Sequence, residues 1–167
     1  MMRFLVGVLV LLAVAGGIYQ WGGNSLDEKQ VRDYYRGVEQ ATLAFDDALL
    51  CAMLAEDYQQ SLVMKSESSS EESTLGKQEY CEDAARSMAM LRRVQEAVGG
   101  RVPMRYEQTI RSISIAADGR SAKVEMSARV DMPGVRLVSR SRDTIERRRW
   151  RVQATRSVAV VHAGRGG

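Results

Sequence analysis

Three groups of residues carry the chemistry this chain can do. The first is acidic. Asp47, Asp57, Glu107, Asp131 and Asp143 lie within or beside patterned segments and are the acid–base candidates. A carboxylate on the inner face of a sheet loses hydration, which raises its pKa toward the range useful for proton transfer. Glu107 shares a strand face with Arg105, Thr109 and Arg111 and is expected to be paired, while Asp131 falls on the wet face of its strand. The second group is aromatic: Tyr34, Tyr35, Tyr58, Tyr106 and Trp150 can line a pocket for an apolar small molecule, or simply fill a core. The third is the run SRSRDTIERRRWR, residues 139–151. Arginine forks such as that of Arg142 fit carboxylate and phosphate groups, and Trp150 can stack beside them. Tyr34, Tyr35, Tyr58, Tyr106, Arg142 and Trp150 are therefore the candidate ligand-binding residues.

Cysteine and histidine usage narrows the choice. Cys51 and Cys81 are the only cysteines and His162 is the only histidine. Such an inventory excludes an all-cysteine metal cluster and a multi-histidine metal site, and no cofactor pattern is present. No histidine lies near either cysteine in sequence to activate it as a nucleophile. No catalytic residue is assigned. Residues 66–74, SESSSEEST, lack the Asp/Asn/Gly spacing of a calcium loop and are expected to form a solvated loop.

The elements that hold these residues must fit in 167 residues, enough for one domain and a leader. With 45% hydrophobic and 27% charged residues the composition is globular. Residues 4–19, FLVGVLVLLAVAGGIY, carry no charge and follow Arg3. Residues 1–24 therefore read as a secretory signal peptide, with Ala13-Val14-Ala15 as a cleavage site, or as an N-terminal membrane anchor with Trp21 at the interface. Either reading exports residues 25–162 and leaves 163–167 as a disordered tail. In an oxidising compartment Cys51 and Cys81 can close a disulfide contributing about 2–4 kcal/mol. Two buried free thiols are the alternative.

Ser25 and Glu28 form a capping box ahead of Val31, Tyr34, Tyr35, Val38, Ala41 and Phe45, which repeat at helical spacing. Asp46-Asp47 breaks or recaps this helix, and Leu49, Leu50, Met53 and Leu54 continue as a second short helix. One short strand is expected over 59–65. The longest helix is predicted from Lys77 to Val98, with Cys81, Ala84, Ala85, Met88, Leu91, Val94 and Val98 as its buried stripe, ended by Gly99-Gly100. Beyond it the period changes to two. Residues 104–115 and 121–132 alternate about an Asp118-Gly119 hairpin turn, Pro133-Gly134 turns the chain into 135–146, Arg147-Arg148-Arg149 form the next turn, and Trp150–Val161 form the last strand. Strands with one dry and one wet face belong to an antiparallel sheet, and helices that precede them must cover it. The predicted class is α+β, N-terminal helices packed on a curved antiparallel sheet that can leave a cavity at its wide end.

This order of elements resembles the cone-shaped nuclear-transport-factor-2-like (NTF2-like) superfamily, which includes the SnoaL-like cyclases. The resemblance covers residues 26–161 and rests on FDDALLCAMLAEDY (45–58), TLGKQEYCEDAARSM (74–88) and Arg149-Trp150-Arg151-Val152 entering the final strand. It implies a homodimer through the sheet. Family enzymes place an Asp–His or similar pair in the cone, whereas His162 is expected beyond the last strand. Some bacterial secretion-system subunits are similar in layout, with one membrane segment before this fold.

Charge divides the chain. Residues 24–100 hold 8 basic and 15 acidic side chains, and residues 101–167 hold 15 basic and 6 acidic. Helices are thus acidic and the sheet basic, with pairing between layers expected. The first reading is a non-catalytic binding domain at the bacterial inner membrane facing the periplasm, or secreted. It acts through an envelope protein or an anionic envelope component, with the membrane contacted by the N-terminal segment. Export argues against nucleic acid. The alternatives are a SnoaL-like small-molecule enzyme or lipid binder using the cone, and a subunit of a membrane secretion or envelope assembly. An open cavity holding a carboxylate without a cation favours the small-molecule alternative.

Overall fold

Two periodicities in the chain become two layers, helices on one side and a sheet on the other. The computed structural model describes residues 11, 14, 16–17, 23–66, 69–97, 99 and 104–165. Most of the expected leader, with Ala13 and Ala15 of its cleavage site and Trp21, lies outside the described residues, as does Val98. Within the leader Leu11 and Val14 are helical and exposed. No helix of the described residues is long and apolar enough to cross a membrane.

Helix α1 spans Glu28–Leu43 and α2 spans Asp47–Ala52. The α1 cap is Asp27 with Gln30, not Ser25 with Glu28: Asp27 accepts from the Gln30 N–H at 2.8 Å, and Gln30 accepts from the Asp27 N–H at 3.1 Å. Ser25 lies two residues before the cap, its carbonyl accepting from Arg147 at 2.6 Å. Leu26 and Val31 then bracket the cap as a buried apolar pair. Val31, Tyr34, Tyr35 and Ala41 are the buried face. Asp46 recaps the chain, accepting from the Leu49 N–H at 2.8 Å.

The second helix is shorter than predicted. Leu54 leaves it to open β1, Leu54–Lys65, so Tyr58 is a strand residue. Residues 66–74 are not wholly a loop: β2, Ser70–Gly76, pairs antiparallel with β1 as an edge strand. Its side chains face solvent almost throughout, so no apolar alternation marks it, and a charged edge strand of this kind resists pairing with other chains. Helix α3 follows over Lys77–Ala97. Cys81, Ala84, Ala85, Met88 and Leu91 of its predicted stripe are half-buried, but Val94 is exposed.

Strands β3 (Arg105–Ile115), β4 (Ser121–Met132), β5 (Val135–Arg148) and β6 (Arg151–Gly164) form the antiparallel meander. Asp118-Gly119 makes the β3–β4 turn with Gly119 at φ 64°, a backbone that glycine adopts without strain. The β5–β6 turn is Arg149-Trp150, both at positive φ, so β5 runs to Arg148. Strand β6 includes His162, Ala163 and Gly164. The six strands lie in the order β2-β1-β6-β5-β4-β3. The sheet is mixed rather than antiparallel, because β1 runs parallel to β6. Ile145, Val31 and Val124 are its most deeply buried side chains, packed with Ala122, Leu54 and Ala154 into one core.

Candidate functional site

Strand β5 places the site. Along it Ser139, Ser141, Asp143 and Ile145 face the helices, while Arg140, Arg142, Thr144 and Glu146 face away, as the period of two requires. Ile145 belongs to the core and, with Asp143, Ser141 and Ser139, lines a cavity of about 550 Å³ between the sheet and the helices. Residues of α1, α2 and α3 wall one side and residues from all six strands the other.

Asp143 is 9% exposed and lines this cavity. Three hydroxyls donate to its carboxylate. Tyr35 donates to Oδ2 at 2.7 Å, Ser141 to Oδ2 at 3.1 Å, and Ser157 to Oδ1 at 2.7 Å. No cation pairs with it among the described residues. Loss of hydration raises its pKa above the ordinary carboxylate value, against the pull of those three hydrogen bonds. Ser157 reaches the inner face through a bulge. Ile145 pairs with Ala154 but Thr144 with Arg156, so Thr155 is the extra residue, and the phase of β6 reverses there.

Tyrosines wall the space. Tyr34 and Tyr35 of α1 meet edge to face with ring centroids 5.3 Å apart, and Tyr58 of β1 meets Tyr80 of α3 in the same way at 5.6 Å. Burial first, and the Asp143 charge after it, push the hydroxyls of Tyr34, Tyr35 and Tyr80 above their ordinary range. Burial also raises Tyr58. Burial, with Glu39 nearby, lifts Tyr106 to about 12. All five are therefore neutral hydrogen-bond donors at physiological pH. Asp143 can accept a hydrogen bond or a proton from a bound molecule when ionised, and donate one when neutral.

Of the six candidate ligand residues, Tyr34, Tyr35, Tyr58 and Tyr106 line this cavity, and Arg142 and Trp150 do not. Arg142 is on the opposite face of β5, where its Nε donates to Glu125 at 3.0 Å. Trp150 is at the β5–β6 turn, 48% exposed, with Arg147 stacked 5.2 Å from its ring centre. That turn clasps the start of the domain: the Trp150 N–H donates to the Gly23 carbonyl at 2.8 Å, and the Arg149 N–H to Asn24 Oδ1 at 3.0 Å. Much of the arginine run is thus structural. His162 lies within β6 rather than beyond it, exposed and across from Val138.

The other four acid candidates all meet arginines at the surface. Asp47 pairs with Arg92 at 3.0 Å, Asp57 with Arg148 at 2.9 Å, and Glu107 with Arg105 at 2.7 Å. Arg136 and Arg129 hold Asp131 below the usual carboxylate range. Pairing between the acidic and basic halves is largely absent; among the described residues the Arg148–Asp57 pair is the ion pair that joins them. The residues that the sequence reading missed are Ser141, Ser157 and Tyr80. Ser141 was visible in the alternation of small residues against arginines along β5, the same signal that puts Asp143 opposite Arg142.

Cys51 on α2 and Cys81 on α3 form a disulfide with a Cα–Cα distance of 5.6 Å. It ties together the two helices that close the cavity from above. Among the described residues no group of three or more His, Cys, Asp or Glu side chains is placed to hold a metal ion.

No protein-family model and no curated protein matches the chain. Solved structures do. A conserved protein from Planctomyces limnophilus is 18% identical, with 83% of this chain and 98% of that one covered and a TM-score of 0.55. An NTF2-like protein of unknown function from Pseudomonas putida is 17% identical over 80% of this chain and 84% of its own, with a TM-score of 0.54. A ketosteroid isomerase-like protein from Erwinia carotovora is 12% identical over 81% of this chain and 98% of its own, with a TM-score of 0.51. At such identities the likeness is one of fold, and it agrees with the helices, the sheet and the cavity between them: the chain has the NTF2-like fold.

Proposed function

We propose that this chain is a small-molecule-binding domain that works outside the cytoplasm, with the cone as its ligand site. One observation carries the reading. Asp143 is a buried carboxylate that faces an open cavity and is held by hydroxyls alone, while the other candidate acids are neutralised by arginines at the surface. Burying such a group without a counter-charge costs stability, and pockets that bind small molecules combine apolar walls with a few convergent polar groups of this kind. The Cys51–Cys81 disulfide supports an oxidising compartment.

A thermal-shift screen of apolar small molecules carrying one polar group tests the reading. Binding compounds should raise the melting temperature of the wild type. They should lose their effect in Ala128→Phe, which fills the cavity from β4. Hits that act equally on both proteins, or none at all from a broad panel, defeat it.

The outer sheet face supports a second contact, with an anionic or protein component of the envelope. Arg111, Arg140 and Arg142 surround a shallow hollow floored by Val158 and Val160. Glu125 pairs with Arg142, and Arg111 and Arg140 have no ion-pair partner among the described residues. Binding to anionic vesicles or acidic polymers that is unchanged by Arg111→Glu with Arg140→Glu removes this second contact.

A further inference from the structure

We propose that the ligand of the cone is an organic cation, an ammonium group on an apolar body, with its charge seated at Asp143 among the tyrosine rings. The inference rests on the cone being a small-molecule site and adds the sign of the ligand's charge. The chain carries 24 lysines and arginines, yet among the described residues no lysine, arginine or histidine lines the cavity. Its ionisable residues apart from tyrosines are both acids, buried Asp143 and Asp83, which pairs with Arg86. Arg86 offsets Asp83, so the ionised carboxylate of Asp143 is the charge of the lining that no cation compensates among the described residues. Between low-dielectric walls the field of such a charge acts on a ligand more strongly than at the open surface.

The walls fit the same ligand. Tyr34, Tyr35, Tyr58 and Tyr80 stand as two perpendicular pairs along the cavity wall. Aromatic rings attract a cation through their negative faces, and rings set at angles to one another form the cages that hold quaternary ammonium groups. The three hydroxyls on Asp143 make short hydrogen bonds but supply no positive charge, so the carboxylate can still take a counter-ion. Farther out the lining turns apolar, with Leu62, Met64, Leu75, Met88 and Val130, and suits a hydrocarbon body. A carboxylate ligand would instead meet Asp143 as a like charge with no base to offset it.

The test compares benzyltrimethylammonium with its neutral carbon isostere, neopentylbenzene, in NMR titrations of the intact chain at pH 8. The two differ in charge and hardly in shape. The expected result is at least tenfold tighter binding of the cation, with that preference lost in Asp143→Asn. Should that variant fail to fold, Tyr80→Leu serves, and is expected to weaken the cation several-fold while leaving the isostere unchanged. Equal or tighter binding of the isostere by the wild type overturns the charge inference and leaves the cone a small-molecule site. Binding of neither probe, together with an empty thermal-shift screen, overturns both.

Discussion

The Tyr35 hydroxyl on α1 donates to Asp143 on β5 at 2.7 Å, joining the helical layer to the middle of the sheet across 108 positions of chain. The burial of this carboxylate sets a pH dependence, which the bond opposes. The Asp143 pKa is higher in the folded chain than its ordinary value of 3.8, chiefly through lost hydration. The folded state therefore prefers the protonated form. Stability from this group is present in full below the ordinary value and is lost as the pH rises through the folded value. Asp143→Asn, a neutral group of the same shape, should remove that slope. Melting curves at pH 4 to 8 should show the variant gaining on the wild type as the pH rises. A constant difference across the range contradicts a raised pKa at Asp143.

Tyr35→Phe removes one of the three donors and nothing else of size. A hydrogen bond to a charged group is worth about 1.5–3 kcal/mol, against about 1 kcal/mol for a neutral pair. The loss should therefore be larger at pH 8 than at pH 4, because the wild-type bond stabilises the ionised carboxylate. Denaturant unfolding at both values checks this, and a pH-independent loss would mean that Asp143 carries the same charge at both.

The disulfide closes a loop with a sequence separation of 30. Restricting an unfolded chain in this way contributes about 3–4 kcal/mol on the chain-entropy model. For a domain of this size that is a melting temperature lower by roughly 10 °C on reduction. Calorimetry with and without reductant measures it, and Cys51→Ala with Cys81→Ala should reproduce the reduced value.

Legibility of this protein in its sequence follows burial. The α1 stripe, the α3 helix, the Asp118-Gly119 turn and the alternation of β4 were readable because one face of each meets an apolar layer. Strand β2 was not, because an edge strand with solvated side chains is held by its backbone pairing with β1. The parallel pairing of β1 with β6 left no local mark either. At the site, four of the tyrosines and Asp143 were legible as types that can line a pocket. Their convergence was not, since Tyr35 and Asp143 meet only through the tertiary fold, and the bulge at Thr155 breaks the period that would have shown Ser157 facing inward. Trp150 misled for a local reason: its composition-rich surroundings are a turn that holds the backbone of Gly23.

That turn yields the last prediction. Gly23 packs directly beneath Trp150, and a Cβ there would lie 2.6 Å from the indole Nε1. Gly23→Ala must therefore push the ring aside. Its displacement breaks the stack with Arg147 and strains the bond from the Trp150 N–H to the Gly23 carbonyl. Overpacking of this kind costs about 1–3 kcal/mol, and the low end is expected because half-exposed Trp150 has solvent to move into. Trp150→Ala removes the obstacle, so Gly23→Ala should cost little in that background. A double-mutant cycle isolates the coupling between the two positions. If the two effects simply add, the ring does not rest on Gly23, and the turn holds the start of the domain through its backbone bonds alone.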